Sequence, residues 1–471
     1  MHRWPDHRPP RARRWILAYG VTSLALGVLP LVAALPGLLV LGRFLRGAPT
    51  LGTALLGALA GVPLATGVAL VTYALLVLIG VRLLGAGLRP GYHPVHGSMA
   101  WRAWATERLM NLARVALFPL YASLFTPVWM RALGMRVGRR VEISTVVALP
   151  TMTTVGDNAF LADDTMVGSY ELGGGWLRLD VARVGKRAFL GNSGMTAPGR
   201  KVPNRGLVGV LSSTPKRAKA GTSWLGMPPM KLPRVAETAD ATRTFDPPRR
   251  LVLARGLVEL CRVVPVMCTV ALAVLTLAAF EALAAAFGYG VAVAAGGLVL
   301  LAAGLVACAV ASYVKWILVG RFQAGERPLW SSFVWRNELA DTFVEVLAVP
   351  WLAGAVGGTP LMGTWLRSLG ARVGRGVWCE TYWLPEADLI RLGDGATVNR
   401  GCVVQTHLFH DRIMRMDTVT LEPGATLGPH GIVLPGSTIG RHATVGPASL
   451  VMRGELVPGD SRWLGNPIAA W

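Results

Sequence analysis

Charge is what this 471-residue chain has least of: Asp, Glu, Lys and Arg make up 15% of it, against about 25% in soluble domains. The deficit falls mainly on the acids, 26 against 47 Lys and Arg, leaving a formal net charge of +21. It is also uneven. No charged residue occurs between Arg14 and Arg43 or between Arg46 and Arg82. The runs Val263 to Phe280 and Ala282 to Val314 are likewise uncharged, with Glu281 between them and Lys315 at the end. Since about 20 apolar residues cross a bilayer, these runs exclude a plain soluble protein and predict four spans. Cysteine is scarce as well. The five (Cys261, Cys268, Cys308, Cys379, Cys402) show no Cys-x-x-Cys spacing, and three lie in or beside the apolar runs. Neither a metal site nor a disulfide framework is expected. No nucleic-acid motif accompanies the positive charge, so no nucleic-acid partner is expected. The cations are assigned to anionic lipid headgroups, with an acidic carrier protein or a phosphorylated cofactor as the alternative.

The first run is too long for a signal-peptide core and lacks a small-residue cleavage site, so it reads as a span. The tail before it carries Arg3, Arg8, Arg11, Arg13 and Arg14, whereas the turn between spans three and four carries no Lys or Arg. Arg43 and Arg46 between spans one and two weaken that contrast without reversing it. The positive-inside rule then places both termini and both large polar regions in the cytoplasm of a multi-pass plasma-membrane protein.

The polar region after span two and the one after span four repeat each other. Leu133-Gly134-Met135-Arg136-Val137-Gly138-Arg139 matches Leu369-Gly370-Ala371-Arg372-Val373-Gly374-Arg375. Val155-Gly156-Asp157-Asn158-Ala159 matches Leu392-Gly393-Asp394-Gly395-Ala396. Ser223-Trp224-Leu225-Gly226-Met227-Pro228 matches Arg462-Trp463-Leu464-Gly465-Asn466-Pro467, and across all three matches the offset stays within 236 to 239 residues. The approach segments share Trp101-Arg102 and Trp335-Arg336. A shorter period sits inside the long one. Leu421, Leu427, Val433, Ile439, Val445 and Val451 fall every six residues; Leu392, Val398 and Val404 keep the same beat upstream. The first copy shows Val155, Leu161 and Val167, then Val184 and Leu190. A period of six is neither that of a helix nor that of an isolated strand. It fits a coil with three flat faces, one aliphatic side chain per face stacking inward on the coil below, and Gly at corners such as Gly428, Gly440 and Gly446.

The predicted fold is therefore membrane α-helical spans plus all-β: two left-handed parallel β-helix domains of hexapeptide-repeat type, each behind a pair of transmembrane helices. The expected divisions are a basic cytoplasmic tail (1–14), a first helix pair (15–88), an amphipathic connector (89–130), β-helix domain 1 (131–230), a polar linker (231–250), a second helix pair (251–320), a second connector (321–366) and β-helix domain 2 (367–471). The N-terminal dozen residues are expected to be disordered, and Asn204 to Thr222, Gly/Ser-rich and basic, to leave the first coil as an excursion.

The second coil is interrupted after Val404 by Gln405-Thr406-His407-Leu408-Phe409-His410-Asp411-Arg412. A loop leaving a rigid coil carries polar groups to where a substrate can meet them. His407 or His410, neutral, could take a proton from an amine or hydroxyl attacking a thioester, with Asp411 holding the tautomer and a backbone N–H meeting the developing oxyanion. They could equally be exposed loop histidines with no catalytic part. The first coil offers Tyr170 and Gly173 at the aligned positions and no loop histidine. His430 and His442 read as surface residues, His93 and His96 as connector residues at headgroup level.

The hexapeptide pattern, the Thr406-His407 step and the terminal Trp463-Leu464-Gly465-Asn466-Pro467 resemble the hexapeptide-repeat acyltransferases. In the sugar acetyltransferases of that family a Thr-His pair supplies the catalytic base and a coenzyme A thioester the acyl group; His407 is the matching position, and Asp411 follows it at a different spacing. The whole arrangement of paired spans, Trp-rich connector (Arg327-Pro328-Leu329-Trp330-Ser331, then Trp335-Arg336), coil and Gln405-Thr406-His407-Leu408-Phe409 is similar to the membrane-bound C-terminal region of the poly-amino-acid synthetases, non-ribosomal peptide synthetases of the ε-poly-lysine type. The resemblance implies acyl transfer to an amine from a phosphopantetheine thioester, on a carrier protein or coenzyme A, with no resident cofactor. An O-acetyltransferase of a cell-surface sugar or lipid, or a scaffold that recruits a carrier protein, are the alternatives. That family adds adenylation and carrier domains and usually a third β-helix. A carrier or adenylation–carrier protein in trans is thus expected, with homo- or hetero-oligomer formation completing a β-helix trimer.

Overall fold

The computed structural model describes residues 4–7, 9, 13–233 and 240–471. It divides into two compact units, one of residues 1–46 and 61–235, the other of residues 47–60 and 236–471.

Four helices are long and apolar enough to cross a membrane: Arg13–Leu45, Leu51–Gly85, Arg249–Phe287 and Gly296–Leu318. The helical elements in order are α1 (Arg13–Leu45), α2 (Leu51–Gly85), α3 (Ser98–Ala116), α4 (Thr126–Ala132), α5 (Arg249–Leu260), α6 (Val264–Phe287), α7 (Tyr289–Ala294), α8 (Gly296–Leu318), α9 (Ser332–Phe343), a π-helix (Val344–Ala353) and α10 (Pro360–Ser368). Leu17, Leu24, Leu39 and Leu64 point outward from α1 and α2, an exposure that water disfavours and hydrocarbon does not. Glu281 does not end the third long helix, because Glu is a good helix former. α6 runs through it to Phe287 and stops at Gly288, whose φ of 84° is the helix-ending conformation that glycine adopts most easily. The fourth helix accordingly begins at Gly296 rather than Ala282.

The six-residue beat becomes two- and three-residue parallel strands on three faces of a coil. In the second unit Thr426 pairs with Thr444 and Thr444 with Arg462, each step one full turn of 18 residues. Leu421, Leu427, Val433, Ile439, Val445 and Val451 are all 0% exposed, each contributing about 1.5–3 kcal/mol by leaving water. Backbone bonds such as Gly428 N to Val445 O (2.7 Å) run along the axis. A Cβ on Gly428 would lie 2.7 Å from the carbonyl carbon of Gly446 in the next coil, so only glycine fits there. Each stack ends on an antiparallel hairpin at the Trp-Leu-Gly step, Trp224 facing Lys231 and Trp463 facing Ala470.

The duplication extends to single hydrogen bonds. Arg102 Nη1 donates to Leu83 O (3.0 Å) and Arg336 Nη1 to Leu318 O (2.8 Å), each capping carbonyls at the end of an apolar helix. Arg131 Nε reaches Val137 O at 3.0 Å, Arg367 Nε reaches Val373 O at 2.9 Å.

Three expectations change. Asn204 to Thr222 is mostly coil, since Leu207–Val208 pairs in register with Phe189–Leu190; aliphatic residues on the beat outweigh the polar composition around them. At the N-terminus, Trp4 rings with Tyr92 (centroids 5.7 Å apart) and Trp176 Nε1 donates to His7 O at 3.3 Å, so these tail residues are packed; the rest of that expectation falls on residues outside the described ones. Likewise residues 234–239 of the linker lie outside the described ones, while Thr244 and Phe245 pack against Arg412.

Candidate active site

Both coils are interrupted, and both interruptions are antiparallel hairpins: Tyr170–Gly173 with Trp176–Leu179, and His407–His410 with Ile413–Met416. Each gains a third strand from its connector, Gly91–Pro94 in the first unit and Gly325–Pro328 in the second. Neither connector strand was legible in the sequence. A hairpin leaving a coil has an open edge, and pairing that edge fixes the first residue of the hairpin. That residue is Tyr170 in one unit and His407 in the other.

His407 Nδ1 lies 2.8 Å from Glu386 Oε2. Glu386 is 2% exposed and precedes a 3₁₀ turn in the left-handed region, φ 44° and ψ 57°. A non-glycine residue is held there at a cost of about 1–2 kcal/mol, and such outliers concentrate at functional sites. Thr406 Oγ1 donates toward Glu386 Oε2 and Pro385 O, both at 2.6 Å. Asn337 Nδ2 on α9 donates to Glu386 Oε1 at 2.8 Å. Burial alone would push the Glu386 carboxyl up. The charge of His407 and hydrogen bonds from His407, Thr406 and Asn337 outweigh it and hold the group below the ordinary glutamate value. An ionised Glu386 takes the proton of His407 Nδ1 as a hydrogen bond, which leaves Nε2 as the basic nitrogen. The Gln405 side-chain amide, 3.4 Å from Nε2, is placed to donate to it.

A second carboxyl stands by this pair. Asp341, one turn after Asn337 on α9, is pushed well above the ordinary aspartate value, first by withdrawal from water, then by Glu338 and Glu386.

His410 and Asp411 take no part in the His407 pairing. Along the strand, His407 and Phe409 share a face, with ring centroids 5.8 Å apart, and His410 points to the other. Asp411 occupies the hairpin tip, at φ 46°, three to four residues and so about 10 Å from His407. There it meets His410, Nε2 to Oδ2 3.8 Å. The carboxylate orienting His407 is Glu386, not Asp411. The tip is anchored by the buried Arg412, which donates from Nη1 to Thr244 O (3.2 Å) and covers the Phe245 ring at 4.6 Å.

Glu386, Asn337 and Asp341 were missed because they lie 21 to 70 residues before His407 and off the six-residue beat. The duplication carried a signal all the same. Offsets of 234 and 237 residues align Asn337 with Ala103, Asp341 with Glu107, and Glu386 with Leu149. In the first unit Leu149 and Ala103 are buried and apolar, and Tyr170 donates its hydroxyl to Glu107 instead. Burial and that carboxylate raise the Tyr170 phenol above its ordinary value. Of the remaining histidines, His430 and His442 are exposed coil corners, and His93 sits in the first connector strand. Among the described residues no group of three or more His, Cys, Asp or Glu could hold a metal, and all five cysteines are unpaired thiols.

No family model matches the chain. It is 32% identical over 390 residues to the delta-poly-L-ornithine synthetase of Acinetobacter baumannii, an alignment covering 82% of this chain and 29% of that protein. The chain thus spans under a third of the length of this relative. Among solved structures it is similar to the hexapeptide-repeat acetyltransferase of Vibrio cholerae (19% identity, 23% of this chain and 77% of that one, TM-score 0.20). It is also similar to the serine acetyltransferase of Neisseria gonorrhoeae in complex with serine (16% identity, 36% and 55%, TM-score 0.21).

Proposed function

We propose that this chain, similar over most of its length to part of a poly-amino-acid synthetase, is a membrane-embedded acyltransferase. Its second β-helix, read as left-handed like the hexapeptide-repeat family, would pass an aminoacyl or acyl group from a phosphopantetheine thioester to an amine. The observation that carries this reading is the buried Glu386 at 2.8 Å from His407 Nδ1, which orients a basic Nε2 at the point where the chain leaves the coil.

In this mechanism His407 Nε2 takes a proton from the acceptor amine as its nitrogen attacks the thioester carbonyl. Glu386 stabilises the imidazolium so formed, and Asn337 and Thr406 hold Glu386. The tetrahedral adduct collapses with loss of the thiolate, which receives the proton from His407; an amide and a thiol result. Positioned general bases contribute about 10²–10⁴-fold. The donor would be a carrier protein in trans or coenzyme A, the acceptor an amino acid or growing chain of them. The β-helices would face the cytoplasm, and a further copy or another subunit would supply the third β-helix.

His407→Ala, expressed and inserted at wild-type levels, is expected to lose aminoacyl transfer by about 10²-fold or more. Turnover is measured with an aminoacyl-carrier protein and with acetyl-CoA in parallel. Unchanged transfer in the variant sinks the assignment, and turnover with acetyl-CoA alone replaces the aminoacyl donor with an acetyl one.

A further inference from the structure

One corner of the first β-helix is a row of cations that neither the coil nor His407 requires. Successive coils stack there at the residue pairs 139–140, 157–158, 186–187, 204–205 and 220–221. Asn158 N bonds Arg139 O (2.9 Å), Arg187 N bonds Asp157 O (2.8 Å), Arg205 N bonds Lys186 O (2.8 Å) and Gly221 N bonds Asn204 O (2.9 Å). Arg140, Asn158, Arg187 and Arg205 each have φ between 51° and 59°, so one side chain per coil projects from the edge. Arg139, Arg140, Lys186, Arg187 and Arg205 are exposed, and a groove of about 520 Å³ runs between the lower rungs.

The second β-helix builds the same corner without the charge. Gly395 N bonds Arg375 O, Gly424 N bonds Asp394 O, His442 N bonds Pro423 O and Asp460 N bonds Arg441 O. At the corner proper it places Gly376, Gly395, Gly424, His442 and Asp460. The first row therefore holds five cations against Asp157 alone, the second two cations (Arg375, Arg441) against two carboxylates (Asp394, Asp460). Because the coil closes equally well either way, packing does not explain the arginines.

We propose that this cationic row docks an acidic helix of a partner protein. Coils repeat at about 4.8 Å, and carboxylates at i and i+4 on a helix repeat at about 5–6 Å. Four rungs thus match about three helical turns. A lipid surface fits less well. The coil that meets the end of α2, through Arg82 Nε to Ala132 O and Thr151 Oγ1 to Gly85 O, is the first. Lys186, Arg187 and Arg205 stand two and three coils beyond it. Nucleic acid fits less well too, since no residue of the row is aromatic to stack a base. The inference goes beyond the transfer chemistry, because it concerns the domain without the histidine.

The test uses the full chain in detergent micelles and two labelled helical peptides of about 18 residues, carrying Glu or Gln at every fourth position. Wild type should bind the Glu peptide, in a salt-sensitive way, and not the Gln peptide. Arg140→Gly/Arg187→Gly/Arg205→Gly, which installs what the second domain tolerates at such corners, should weaken that binding about ten-fold or more. Arg187→Glu/Arg205→Glu should gain binding of a Lys version of the peptide, a readout that a misfolded variant cannot give. Equal binding of the Glu peptide by wild type and the glycine variant overturns the proposal. So does loss, in the glycine variant, of binding to phosphatidylserine vesicles or single-stranded DNA while peptide binding persists. His407→Ala should bind the peptide as wild type does, so this proposal and the catalytic one fail separately.

Discussion

The two β-helices share corners, capping arginines, a three-stranded hairpin and a closing Trp-Leu-Gly turn, and they differ where a hairpin meets a connector helix. In the second, Thr406-His407, Glu386 and Asn337 form one hydrogen-bonded group with Asp341 beside it. In the first, Ser169-Tyr170, Leu149 and Ala103 occupy those places, and only the acid on the connector helix, Glu107, persists. A shared backbone thus carries a polar site in one copy and an apolar replacement in the other. The buried carboxylate is the costly element, since it needs three donors around it. Once the histidine is gone, replacing the whole group by Leu and Ala removes that cost. The second copy retains it, and retention of an expensive buried charge is the physical argument for function there.

Making the second site resemble the first should break it. Glu386→Leu, the residue at the aligned position 149, leaves His407 without its orienting charge and should lower transfer by about 10²–10³-fold, measured as single-turnover amide formation. Transfer within a factor of two of wild type would remove Glu386 from the mechanism. Asn337→Ala, the residue at position 103, deletes one donor to a buried carboxylate. It should cost about 1.5–3 kcal/mol of stability, read from thermal unfolding in detergent, with a smaller loss of transfer.

The two acids should respond to pH with opposite sign. Glu386 is held below its ordinary value, so its contribution is complete above the unfolded value of about 4.3 and is lost as pH falls through the lower folded one. Glu386→Gln should remove that acid-side loss. Asp341 is pushed well above its ordinary value. The folded chain therefore keeps a proton that the unfolded chain has shed, and stability declines as pH rises through that window. Asp341→Asn should raise the melting temperature more at pH 8 than at pH 4; an equal shift at both would mean that Asp341 titrates normally. The smallest effect concerns the corner: Arg187→Gly relieves a left-handed arginine and should stabilise by about 1 kcal/mol, whereas Gly424→Arg in the second domain should destabilise by a similar amount.

Much of this was legible along the chain, though not evenly. Leu421 to Val451 announce the coil because each inward side chain is set by its own hexad, and a local period survives translation into any stacking of coils. The uncharged runs announce the long helices for the same reason, although Glu281 shows that one charge is not a helix end. His407 was found because it breaks the beat. Its carboxylate was misassigned to Asp411, the nearest acid in sequence, because a β-strand carries neighbours apart at about 3.4 Å per residue. Glu386, 21 residues away, is brought back by one turn of the coil.

The sequence by itself determined the repeat, the duplication, the apolar helices and the position of the histidine, all of which are matters of spacing between residues near in the chain. Only the tertiary structure decided which acid faces that histidine, that the connector contributes a strand and Asn337, and that the cations of the first domain form a row. Those facts depend on which residues of different coils and helices become neighbours. That is fixed by stacking and strand pairing rather than by any local preference.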